Sequence, residues 1–162
     1  MRKVSIRVGG VCSGRLVYWA YVVYGDVWAS EASQLCSSGF KFLRRKDKFG
    51  IACYLFGLRS ALRDLLADME RRETCEQYLV RFYCVDDRLF DVLSRWGYGL
   101  HDPLFKGLVN EVRHLANRIG LLGLARPQGA HMEEALKVKA SSQLHKHARE
   151  VVRRAQIDRS IV

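Results

Sequence analysis

Residues 78–93 read YLVRFYCVDDRLFDVL. The first six, Tyr78-Leu79-Val80-Arg81-Phe82-Tyr83, are aromatic and β-branched, which predicts a strand buried in the middle of a sheet. That strand runs into Asp86-Asp87, and Leu89, Phe90, Leu93 and Trp96 then follow a helical spacing. An acidic pair between the C-terminal end of a strand and a helix is where α/β sheets commonly carry their chemistry. The same pair also suits a helix cap, because Asp accepts hydrogen bonds from the free N–H groups of a first turn. Residues 78–93 alone leave both readings open.

Upstream, Lys3-Val4-Ser5-Ile6-Arg7-Val8 alternates apolar and polar residues and predicts a strand with one buried face. Residues 9–14 (GGVCSG) read as a turn, residues 16–24 as a long strand, Gly25-Asp26 as a hairpin turn, and Val27-Trp28-Ala29 as the start of a third strand. Residues 37–48 (SSGFKFLRRKDK) read as a loop or extended basic arm, with Phe40, Phe42 and Phe49 packed beneath it. From 49 to 70, Ile51, Leu55, Leu58, Leu62, Leu65, Leu66 and Met69 keep the 3.6-residue period of a helix. Downstream, Asp102-Pro103 opens another helix with a cap and a proline at its first position, and Leu104, Leu108, Val112, Leu115 and Ile119 form its stripe. Residues 121–125 predict a short strand. Residues 131–155 predict a last helix with Leu136, Ala140, Leu144, Ala148 and Val151 facing inward, followed by a tail at 156–162. The order is β-β-β-α-β-α-α-β-α in a single α/β domain spanning 1–155. The helix between strands three and four places strand four parallel to strand one.

A chain of 162 residues with 49% hydrophobic residues and only 2 prolines suits one folded domain. No apolar run reaches the length of a membrane span, and a strand rather than a signal segment follows Met1-Arg2-Lys3, so a cytoplasmic protein is expected. The five cysteines (Cys12, Cys36, Cys53, Cys75 and Cys84) contain no C-x-x-C pair, which argues against a zinc ribbon and predicts buried free thiols. The net charge of +10 is concentrated in two places. Residues 41–48 hold five cations and one acid, and residues 137–162 hold seven cations and two acids. Localised positive charge of this kind is the footprint of a polyanionic partner.

Four phrases in order resemble the ribonuclease H family, in particular its short microbial type 1 members. Gly57-Leu58-Arg59-Ser60-Ala61-Leu62 is similar to the G-L-x-x-A-L that ends the family's first helix. Asp86-Asp87-Arg88-Leu89-Phe90 followed by Asp102-Pro103-Leu104 is similar to its D-S-Q-L-V segment and D-P-x-L helix. Arg126-Pro127 and Glu134-Ala135-Leu136 resemble its last strand, loop and D-A-L-A helix. The resemblance implies a mixed five-stranded sheet with helices on both faces. It also implies a site where four carboxylates hold two Mg²⁺ or Mn²⁺ ions for cleavage of RNA in an RNA–DNA hybrid. Carried over residue by residue, the first acid falls on Gly9, the second on Gly50, the third on Asp86 and the fourth on Glu134. His131 is the one candidate for the family's loop histidine.

Mg²⁺ affinity depends on the number of charged oxygen ligands, so two glycines at ligand positions imply a catalytically inactive member that expects no metal and no other cofactor. The leading expectation is an RNA-binding protein, in a ribonucleoprotein such as the ribosome or on an RNA–DNA hybrid. It would bind through Lys41, Arg44, Arg45, Lys46 and Lys48 and through Lys137, Lys139, Lys146, Arg149, Arg153 and Arg154. Phe40, Phe42 and Phe49 are expected beneath the basic segment, the alternative for them being to stack on unpaired bases. One alternative is an active nuclease rearranged around Asp86, Asp87 and Glu134. Another is a protein-interaction module whose basic patch meets an acidic partner.

Overall fold

The computed structural model describes residues 2–25, 35–45, 47, 49–73 and 76–160, apart from the side chains of 144, 145, 147–152 and 154–160. Its elements are β1 (Arg2–Ser13), β2 (Leu16–Gly25), β3 (Leu35–Phe42), α1 (Ala52–Arg71), β4 (Tyr78–Tyr83), α2 (Asp87–Ser94), α3 (Pro103–Ile119), β5 (Gly120–Ala125) and α4 (His131–Ser160). They form a five-stranded sheet in the order β3-β2-β1-β4-β5. β1 pairs antiparallel with β2 and parallel with β4, in a register that sets Arg2 against Tyr78 and Ile6 against Phe82. Tyr78, Val80 and Phe82 are buried at the sheet centre, as their aromatic and β-branched character requires.

The two faces of the sheet carry different helices. Val4, Ile6 and Val8 point toward α1, whose Leu55, Leu58, Leu62 and Leu65 are fully buried, and α3 packs on α1 from outside. On the opposite face, α4 crosses β1 and β2. Glycine is required where the layers touch. A Cβ at Gly57 would collide with the Val8 side chain, so α1 lies directly on β1. A Cβ at Gly9 would meet the Glu133 carbonyl, the Lys137 amide at 2.5 Å and Leu136 Cβ at 2.7 Å, so α4 presses its backbone onto the central strand.

These contacts explain where local pattern misleads. Gly9 and Gly10 are not in a turn but inside β1, buried between helices, and the turn lies at Gly14 with φ +62°. Residues 37–42 are not an arm but most of β3, paired with β2 from Leu16↔Phe42 to Val23↔Leu35. The strand start expected at Val27-Trp28-Ala29, with Asp26, lies outside the described residues. In α3, Phe105 and not Leu104 begins the buried stripe, and Leu104 is exposed. α4 continues through residues 156–160, where a tail was expected. Its inner stripe begins at Glu133, Leu136 and Ala140, while the side chains of Leu144, Ala148 and Val151 lie outside the description. Among the described residues no helix is long and apolar enough to cross a membrane.

Candidate functional site

Asp86 closes the gap between β4 and α2 as a cap. Its Oδ1 accepts from the Arg88 amide at 2.8 Å and the Leu89 amide at 3.1 Å, using the free donors of the helix start. Asp87 turns outward and pairs with Arg126, whose guanidinium lies 4.6 Å from the centre of the Phe90 ring. The two neighbouring acids of α4 also divide. Glu133 is 4% exposed and pairs at 3.0 Å with Arg7 of β1, which donates to the Tyr24 hydroxyl and stacks 3.8 Å from the centre of Tyr83. Glu134, one residue on, is exposed.

The first-helix residue that belongs with Asp86 and Glu134 is Tyr54. Burial, with added repulsion from Cys53, Asp86 and Glu134, pushes the Tyr54 phenol up to about 12. Gly50, the position expected to face this cluster, instead precedes α1 in a left-handed turn (φ +65°), with open space around its Cβ position. Tyr54 went unnoticed because a phenol does not match a carboxylate pattern. Its place three residues before Gly57, one helical turn away, was the available signal. His131 is exposed at the start of α4. Two further acids that a rearranged metal site could draw on, Asp26 and Glu31, lie outside the described residues.

Two thiols border the cluster. A hydrogen bond from Cys53 lowers the Cys12 thiol below its ordinary value, against burial and the nearby Asp47 charge. Cys53, the other partner, is raised by that bond first and by burial second. Cys53 and Cys84 are buried free thiols as expected, but Cys36 is exposed and Cys12 only half-buried; Cys75 lies outside the described residues. Asp47 accepts from the Ala52 amide at 2.8 Å and the Phe49 amide at 3.1 Å, so the acid within the basic segment caps α1.

These residues do not fit a pair of Mg²⁺ ions. The helix backbone fills the space beside Gly9, a phenol stands at Tyr54, and the Asp86 oxygen is committed to two amides. Among the described residues no three His, Cys, Asp or Glu side chains gather closely enough to hold a metal ion.

The basic residues fall on two sides of β3. Lys41 lies in the last turns of the strand, and Arg44 and Arg45 follow it; all three are exposed, with no acidic partner among the described residues. They rim a cavity of about 420 Å³ floored by Leu43, Phe56 and Phe105. Lys46 and Lys48 lie outside the described residues. On the other face, Lys137, Lys139, Lys146 and Arg153 are exposed along α4, while the side chains of Arg149 and Arg154 lie outside the description. Lys139 Nζ donates to Cys36 Sγ at 3.4 Å and Gln143 donates to Ser38, which carries α4 across the edge strand. Segments about 100 residues apart in sequence thus flank one strand.

No protein-family model and no curated protein sequence matches the chain. Solved structures do match. The N-terminal RNase H domain of a Mycobacterium tuberculosis protein, solved as a fusion with maltose-binding protein, superposes with a TM-score of 0.62 at 15% identity, covering 91% of this chain and 99% of that one. LC11-RNase H1 in complex with an RNA/DNA hybrid gives 0.60 at 14% identity, with 87% and 98% covered. RNase H1 from the halophilic archaeon Halobacterium salinarum gives 0.58 at 15%, also with 87% and 98% covered. The strand order, the helices on both faces and these matches over nearly the whole chain agree: the chain has the ribonuclease H-like fold.

Proposed function

We propose that this protein binds RNA on a ribonuclease H-like scaffold without cleaving it, as a structural subunit of a ribonucleoprotein such as the ribosome. The observation that carries the reading is the exposure of Lys41, Arg44 and Arg45 without an acidic partner among the described residues. Cations already paired with carboxylates gain little from a phosphate; unpaired ones release counterions from it on binding. The loss of nuclease chemistry is supported by Gly9, Tyr54 and the capping role of Asp86, which leave too few free carboxylate oxygens for two hard cations.

A second reading, a one-metal or rearranged nuclease, draws on Asp86 and Glu134, whose charges both reach Tyr54. Incubating the protein with a labelled RNA–DNA hybrid in Mg²⁺ or Mn²⁺ separates the two. The expected result is RNA retained intact, with binding that falls steeply as salt rises. Cleavage that disappears in Asp86→Ala would establish the nuclease instead.

A further inference from the structure

Three elements line the cavity of about 420 Å³ beside the basic segment: the chain from Lys41 to Arg45 at the end of β3, Phe56 of α1, and Asp102 to Phe105 at the start of α3. Its depth is apolar. Leu43, Phe56 and Phe105 are buried, and the Trp19 ring backs Phe56, stacked at 5.1 Å and 17°. Phe42 and Leu104 stay open beside this formed hollow, 58% and 43% exposed. Neither gains much from the core, and both would lose water to an occupant. Two kinds of polar side chain join them. Lys41, Arg44 and Arg45 bring three positive charges with no acidic partner among the described residues. Asp102 gives its Oδ1 to the Leu104 amide at 2.9 Å, at a helix start that offsets its charge, and its Oδ2 has no partner among the described residues. An occupant that answers all of this has an apolar, flat body, an anionic end and an N–H donor. A fatty or aryl acid offers the first two and lacks the third. A nucleotide has all three, because its base carries ring or amino N–H groups.

We propose that this cavity holds one unpaired nucleotide, its base against Phe42 and Leu104 over the apolar floor and its phosphate on Lys41, Arg44 and Arg45. The proposal rests on the RNA-binding reading above and narrows the ligand to single-stranded or everted nucleotides. A base inside a duplex is stacked on both sides and cannot enter a hollow, whereas an unpaired base can be splayed out against an aromatic side chain. The charge on the rim selects an anion, and the apolar floor selects an anion with a body to bury.

The test is fluorescence anisotropy with a labelled oligouridine of about twelve nucleotides, which spans a typical single-strand site. An abasic ribose-phosphate chain of equal length is the comparison probe, and uridine monophosphate is the competitor. Phe42→Ala/Leu104→Ala changes two exposed positions and leaves the core untouched; melting curves verify folding. It is expected to weaken oligouridine binding about tenfold or more and to leave the abasic chain unaffected. Lys41→Gln/Arg44→Gln/Arg45→Gln should weaken both chains. Photo-crosslinking with a strand that carries 4-thiouridine, read by mass spectrometry, should place adducts within residues 42–45 or 102–105. Competition by uridine monophosphate at micromolar concentration supports the cavity with a free nucleotide as occupant; competition only at millimolar concentration supports it with a nucleotide of a strand. If the alanine variant binds oligouridine as the parent does while the charge variant has lost it, the cavity is refuted and RNA binding stands. Adducts confined to other segments refute it in the same way. If the parent binds neither chain, the RNA-binding reading falls and the proposal with it. An acidic peptide with a central phenylalanine that binds more tightly than oligouridine, and is lost in the alanine variant, would assign the cavity to a protein partner and overturn the proposal.

Discussion

Gly9 and Tyr54 account for the difference between this molecule and a carboxylate-rich metal site. Gly9 is held by contact with α4, whose backbone occupies the space that any side chain would need. Gly9→Ala is therefore expected to destabilise by about 1–3 kcal/mol, the usual range for overpacking. Gly9→Asp should destabilise further and gain no Mn²⁺ binding, as measured by urea melts and by Mn²⁺ electron paramagnetic resonance. Tyr54 is the opposite case, because it is the α1 residue whose phenol feels the charges of both Asp86 and Glu134. Tyr54→Glu adds a third carboxylate there, and Mn²⁺ affinity is expected to rise about tenfold or more with the added ligand charge. Unchanged affinity would mean that Asp86 and Glu134 do not converge on a common point. At this scale the sequence was partly legible. Asp86 stands where its pattern placed it, between β4 and the next helix. Gly50 instead lies before α1 in a left-handed turn, and Tyr54 is the α1 residue that feels the Asp86 and Glu134 charges, which spacing counted to a motif rather than along a helix face did not reveal. Nothing in Glu133-Glu134 reveals which of two adjacent acids is buried; the partner that decides it, Arg7, lies 126 residues away.

Among the elements, α1 and α3 were legible because their stripes of leucine and valine recur at the helical period and their caps are explicit. Leu58 and Leu62 are fully buried, so Leu58→Ala or Leu62→Ala is expected to cost about 2–5 kcal/mol in chemical denaturation; an unchanged midpoint would mean these faces are misassigned. The two helices are also tied by Glu111 of α3, which pairs with Arg59 at 3.0 Å and with Arg63 of α1. Partial burial disfavours the Glu111 charge, but hydrogen bonds and charge from the two arginines outweigh it and hold its pKa below the ordinary value. A carboxyl depressed in the folded state stabilises above its unfolded pKa, and that contribution is lost as pH falls through the folded value. Glu111→Gln should thus lower the melting temperature at neutral pH and flatten its decline below about pH 4. A variant that declines as the parent does would place the acid sensitivity elsewhere. β1 and β3 were less legible for reasons of packing. Two glycines read as a turn until helices close on both sides of them, and an edge strand with exposed phenylalanines lacks the alternation that marks a half-buried one.

At the scale of the whole molecule, charge in the sequence was legible in amount but not in arrangement. Two basic segments far apart in the chain flank one edge strand, because α4 crosses the sheet from Gly9 to Ser38. The sheet end at Asp86 and the basic edge are thereby separate features of one scaffold; among the described residues the first gathers no three metal-ligating side chains and the second offers Lys41, Arg44 and Arg45 no acidic partner. The most direct test of this division is the salt dependence of single-stranded RNA binding in the parent and in Lys41→Gln/Arg44→Gln/Arg45→Gln. The expected parental plot of log affinity against log salt is linear and steep, and the variant slope is shallower by about 2, as three lost phosphate contacts on a single strand require. Identical slopes in the two proteins, or a parental affinity indifferent to salt, would contradict it.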